Sequence, residues 1–222
     1  MKKNVMLICV TAAVCCAVMA VVDGILQPGY AIKSGIKIAV FLVLPFILCA
    51  QQKLPVAECF HPDKKALLTG SCLGTVTFVI VMTAYALAQP YLDLSAVPQA
   101  LEQSAGVTKD NFLFVGTYIA LCNSLLEEFF FRSFVFLGLK KTTTKAFSYI
   151  FSAAAFALYH GGMLMSMVSP LLFALALIAL FFCGLLFNFL NAKRERIWVS
   201  WLVHMGANLA INTVGMILLG ML

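Results

Sequence analysis

Apolar residues fall in seven runs separated by short polar stretches, covering residues 5–22, 36–50, 66–88, 112–139, 146–163, 168–190 and 197–222. A helix that crosses a bilayer needs roughly 20 apolar residues. The second run reaches that length only with residues 30–33 or with tilt, and the fourth is long enough to tilt or bend. The runs are continuous and do not alternate, which argues against barrel strands. Backbone groups in lipid must be satisfied within the segment, so the runs predict helices. The expected fold is all-α: a polytopic transmembrane bundle of about seven spans, one domain over residues 1–222. Lys2 and Lys3 before the first run also describe a signal peptide. The length of that run and the six that follow favour an uncleaved first span.

Composition agrees with this picture. The chain is 63% hydrophobic and only 11% charged, too apolar for a soluble globule of 222 residues. Low charge and 19 Phe exclude disorder. Seven of the eight Cys lie inside apolar runs and no CxxC pair occurs, so they read as packing residues. The net charge of +6 would suggest nucleic acid if it were clustered. It is instead spread over short loops, so the expected partner is the lipid bilayer and no nucleic acid.

Alternate loops differ sharply in Lys and Arg. One set holds eleven: Lys2, Lys3, Lys53, Lys64, Lys65, Lys140, Lys141, Lys145, Lys193, Arg194 and Arg196. The other holds three: Lys33, Lys37 and Lys109. This asymmetry predicts a multi-pass cell-membrane protein with a cytoplasmic N-terminus and the C-terminus outside. The longest connection, 89–111, lies on the outer side, and its 96–106 portion suits a short surface helix.

Glu127 and Glu128 lie in the middle of the fourth run, with Arg132 after them. A charge at a span centre costs about 2.5–3.5 kcal/mol on insertion scales, so all three must be paired or face a polar cavity. Glu128 and Arg132 are i and i+4 on one face, in the favourable order for an ion pair. Glu127 points elsewhere and is left free, which suits a general base. His160 and His204 lie in the fifth and seventh runs, and Asn208 shares the His204 face with Asn212 one turn further. A base, two imidazoles and an amide in an apolar interior are the ingredients of a hydrolytic site. Phe156 and Phe129, Phe130 and Phe131 read as packing. His61, in an inner loop, has no assigned role. At 1.5 Å per residue from the inner run ends, Glu127 is about 18 Å deep, His160 about 20 Å and His204 about 10 Å. Tilt or a shifted boundary must close that difference.

The ordered set Glu127-Glu128-x-x-x-Arg132, Phe156-x-x-x-His160 and His204-x-x-x-Asn208 resembles the CAAX protease and bacteriocin-processing family of intramembrane proteases, also called the ABI or type II CAAX prenyl endopeptidase family. The motif-bearing core is roughly 111–222. The resemblance implies an intramembrane endopeptidase with Glu127, His160, His204 and Asn208 as catalytic residues and Glu128 and Arg132 in support. Glu127 and His160 would activate water, with His204 and Asn208 stabilising the oxyanion or completing a metal site. A zinc version would use Glu127, His160 and His204 as ligands. The implied substrate is a membrane-associated peptide or protein, either lipidated or bacteriocin-like.

Two other classes share these ingredients. An ion-coupled transporter also needs intramembrane Glu, His and Arg. Transporters usually show paired repeats or broken helices in both halves, whereas these polar residues crowd into the second half. A catalytically silent scaffold or immunity protein could keep the same fold.

Overall fold

The computed structural model describes residues 2–51, 57–61, 64–165 and 168–222; Lys53 of the inner set lies outside the described residues. Among them the regular structure is helical. The long helices are α1 (Lys3–Leu26), α2 (Tyr30–Gln51), α3 (Lys64–Tyr91), α5 (Lys109–Lys140), α7 (Pro170–Ala192) and α8 (Trp198–Leu218), and these six are long and apolar enough to cross a membrane. The fifth run forms α6 (Lys145–Leu164), a 20-residue helix made less apolar by Ser148, Ser152, Tyr159 and His160. The short α4 (Val97–Ala105) occupies the expected place in the long connection.

The outer face is apolar, and the interior holds buried polar groups beside an apolar core. Phe114, Leu175, Phe182 and Ile211 are exposed, whereas Glu127, Glu128, Arg132, Asn188 and Asn191 are buried. This suits a lipid surround, in which an outward apolar face is solvated and an inward polar group needs a partner. The buried apolar cluster joins Ile8, Met19, Phe41, Phe130, Phe131, Phe134, Phe156 and Phe187 from α1, α2, α5, α6 and α7. Phe41 and Phe130 stack with centroids 4.1 Å apart.

Glycine sets one helix contact. α3 and α8 run parallel, with Gly70 against Val199 and Leu202, and Gly74 against Leu202 and Gly206. A Cβ on Gly74 would lie 2.5 Å from the Leu202 carbonyl oxygen, and one on Gly206 would meet the Gly74 carbonyl. This is the small-xxx-small packing of membrane helices, where backbones approach because nothing stands between them.

Three helices widen locally into i→i+5 turns, at Val22–Leu26 of α1, Ala39–Val43 of α2, and Ile119–Asn123 and Glu128–Leu137 of α5, and the turns of α2 and α5 flank the polar interior. In α2 the wide turn is Ala39–Val43, just before Pro45. Proline lacks the N–H that would close the preceding turn, and its ring crowds the carbonyl four residues back. The Cys15 thiol of α1 donates to the Val40 carbonyl at 3.3 Å. In α5 a wide turn spans Ile119–Asn123. There Asn208 donates to the Ile119 carbonyl at 3.3 Å, and Asn212 to the Gly116 carbonyl at 2.7 Å. The α8 amides therefore bond the α5 backbone around its wide turn.

The depth difference between Glu127 and His204 closes because the helix ends beside residues 57–61 and 193–197 are not level with the end of α5. The turn Ala57–Phe60 before α3 lies beside the middle of α5, with Phe60 stacked on Phe129 at 5.7 Å. Ile197 N–H donates to the Cys59 carbonyl, and Trp198 to the His61 carbonyl at 3.0 Å. Helix α8 thus starts at that same level, and α5 runs on well past it. Trp201 donates to Ser124 Oγ at 3.0 Å, which fixes the first turns of α8 close to Glu127.

Candidate intramembrane active site

Four helices meet at Glu127, which is 2% exposed. Its two carboxylate oxygens have different surroundings. Oε1 accepts from Lys37 Nζ of α2 at 2.6 Å, from Asn123 Nδ2 at 2.9 Å and from the Tyr159 hydroxyl at 3.3 Å. Oε2 has no hydrogen-bond donor. It faces Nε2 of His160 and Nε2 of His204, each at 3.7 Å. Oε2 and two imidazole nitrogens therefore surround one point in the buried interior.

Both histidines are oriented through the far side of the ring. His160 Nδ1 lies 2.8 Å from the Phe156 carbonyl, one turn back on α6. A carbonyl only accepts, so Nδ1 carries the proton and a neutral His160 keeps a lone pair on Nε2. His204 Nδ1 lies 3.1 Å from Glu128 Oε1. A carboxylate accepts, so His204 Nδ1 donates to Glu128 and Nε2 is turned into the site.

Glu128 is also the partner of Arg132, at 3.5 Å, and neither side chain has solvent exposure. The guanidinium sits 4.3 Å from the Phe156 ring centroid and 5.0 Å from that of Phe187. Phe187 in turn stacks on His204 at 5.3 Å. Aromatic faces favour a cation and, with Glu128, make this buried arginine tolerable. Phe156 packs, as expected, but what it packs is Arg132 and both imidazoles.

The structure brings together Glu127, His160 and His204, with Glu128 and Arg132 behind them. Asn208 is one turn from His204 on α8, with its amide directed to the Ile119 carbonyl. The expectation of a free Glu127 does not hold, because Lys37 pairs with it. Lys33 and Lys37, read from the sequence as outer-loop cations, lie inside α2 and are buried. Lys33 pairs with Asp23 of α1 at 3.5 Å. Asn123 and Tyr159 were likewise not singled out. One signal for Lys37 was available: it falls within the apolar run 36–50.

The charge beside Glu127 weighs against zinc. Among the described residues no three His, Cys, Asp or Glu side chains are arranged to hold a metal ion. The Lys37 ammonium, bonded to Glu127, would also repel a dication beside it.

Residues 109–210 match the family described as Type II CAAX prenyl endopeptidase Rce1-like. The match spans α5 to α8, from Lys109 to Ala210, and contains all three motifs. No curated protein and no solved structure matches the chain.

Proposed function

Given that residues 109–210 match the Type II CAAX prenyl endopeptidase Rce1-like family, we propose that this chain is an intramembrane endopeptidase hydrolysing a peptide bond in a membrane-associated peptide or protein. The observation that carries the reading is the convergence of Glu127 Oε2 with Nε2 of both His160 and His204, each at 3.7 Å. Oε1 is occupied by three donors, so Oε2 is the oxygen open to reaction.

In this mechanism a water bound at Oε2 and His160 Nε2 gives its proton to Glu127. The hydroxide adds to the scissile carbonyl carbon. The resulting oxyanion accepts from the Nε2–H of a protonated His204, whose charge Glu128 balances. The second N–H of the Asn208 amide is a further donor for that oxyanion. Glu127 then passes its proton to the departing amine nitrogen as the C–N bond breaks. The apolar surround strengthens each of these electrostatic steps. No step needs a metal. The substrate class is a lipidated or bacteriocin-like peptide held at the membrane. The Lys/Arg asymmetry of the loops supports a cytoplasmic N-terminus, and burial of Lys33 and Lys37 strengthens it by removing two cations from the sparse side.

The test is cleavage of membrane-associated peptides by purified protein in vesicles. Glu127→Gln and His160→Ala should each lower kcat by about 10²–10⁴, the usual scale of general-base catalysis. Full activity in both variants would sink the reading.

A further inference from the structure

We propose that Lys37 is a positioning residue for Glu127: its ammonium holds Oε1 and so presents Oε2 alone to the water and the two imidazoles. This rests on the hydrolytic reading. Lys37 lies outside residues 109–210, so the family match does not assign it.

The geometry is specific. Lys37 is 6% exposed and bonds Glu127 Oε1 at 2.6 Å and Asn123 Oδ1 at 2.5 Å. An ammonium has three N–H groups. Two are taken by these oxygens, and the Tyr159 ring, 4.7 Å away, offers its face to the cation. Asn123 also donates to Glu127 Oε1, so ammonium, amide and carboxylate close a three-membered hydrogen-bonded ring. Such a ring fixes the rotation of the carboxylate. Without it Glu127 could turn either oxygen to the imidazoles, or pair with them directly and exclude the water.

The local backbone serves the same contact. Lys37 is followed by the wide turn Ala39–Val43 of α2, and Asn123 ends the wide turn Ile119–Asn123 of α5. Such turns re-aim the residues beside them and recur at functional sites. Placing a lysine within a span is costly, and packing alone gives no reason to retain one. Both oxygens that Lys37 contacts belong to the protein, so it acts through Glu127 rather than on substrate.

The experiment uses the full chain in vesicles with a cleaved peptide. Lys37→Ala should lower kcat at least tenfold with KM within twofold of wild type. Added n-butylamine, which supplies an ammonium on an alkyl stem, should restore at least a third of the lost kcat. The neutral n-butanol should restore none. Unchanged kcat overturns the proposal, as does a loss confined to KM or equal rescue by the alcohol. If Lys37→Ala does not fold, thermal unfolding of K37M and K37M/E127Q replaces it. The double variant, neutral at both positions, should melt higher than K37M, and equal midpoints overturn the pairing. A wild type that cleaves nothing overturns the hydrolytic reading itself. A wild type that cleaves beside a K37A of unchanged kcat overturns only the role of Lys37.

Discussion

His204 and Glu128, 76 residues apart in sequence, face each other across α8 and α5 with Nδ1 3.1 Å from Oε1. The same carboxylate faces Arg132 through its other oxygen. One side chain thus orients an imidazole and neutralises a buried guanidinium.

Replacing Glu128 should therefore do two separable things. Glu128→Gln keeps a polar group near His204 Nδ1 but removes the charge that balances Arg132. Stripping the partner from a buried ion pair costs about 3–5 kcal/mol. Thermal unfolding should show a large fall. In the combined Glu128→Gln/Arg132→Met variant much of that stability should return, while kcat stays low for want of the charge behind His204. Recovery of kcat along with stability would contradict the orienting role.

Asn208 and Asn212 offer a matched pair. Each amide donates to an α5 carbonyl, so alanine at either position should lower stability by about 1 kcal/mol, the usual scale of one interhelical hydrogen bond. Only Asn208→Ala should also lower kcat, because Asn208 lies one turn from His204 and Asn212 two. Equal kcat in both variants would remove Asn208 from the oxyanion site.

The contact between α3 and α8 should be intolerant of added bulk. Gly206→Ala places a methyl against the Gly74 carbonyl, where backbone rather than a mobile side chain must move. Overpacking of this kind costs about 1–3 kcal/mol. Gly35→Ala, whose Cβ meets nothing within 4 Å, is the control and should leave the unfolding midpoint unchanged or slightly raised.

Acid should weaken one loop contact in a defined window. Lys140 donates to Glu195 Oε1 at 2.9 Å, and Lys141 stands 3.6 Å from Oε2. The Lys140 hydrogen bond, then the two lysine charges, hold the Glu195 carboxyl below the usual glutamate range. A carboxyl with a lower pKa when folded stabilises the protein above its unfolded value, about 4.3, and ceases to do so as pH falls through the folded value. Glu195 is 41% exposed, so solvent screens the pair to under about 1 kcal/mol. The unfolding midpoint of Glu195→Gln should sit slightly below wild type at pH 7, and the gap should narrow as pH falls below about 4.

Chelation gives the last comparison. With Lys37 beside Glu127, activity should persist after exhaustive treatment with a zinc chelator, in preparations assayed for metal. Loss of activity restored by zinc alone would overturn the metal-free mechanism.

Much of the site was legible because lipid makes polar residues conspicuous. Glu127, Glu128 and Arg132 stand in an apolar run, and i, i+4 spacing alone separated the Arg132 partner from its neighbour. Lys37 was hidden by its place seven residues into α2. Near a span end a lysine ordinarily snorkels to the surface, so it counts as a loop cation. Asn123 and Tyr159 were hidden because their importance lies in what another helix brings to them. Depth was misjudged for a similar reason. Counting from run ends assumes level helices, whereas the connections at Cys59 and Ile197 meet α5 near Phe129.

The two lysines of α2 also bear on how the chain enters the membrane. An inserted lysine without a partner carries a penalty of about 2.5–3.5 kcal/mol at mid-span. Lys33 finds Asp23 across a short connection, so α1 and α2 can enter as a hairpin with that charge already balanced. Lys37 has no such early partner. Its carboxylate arrives on α5, after α3 has been made, and until then α2 holds an unmatched cation. The membrane thus favours α2 docking against α5 as soon as α5 is inserted, and the site closes as a step of assembly.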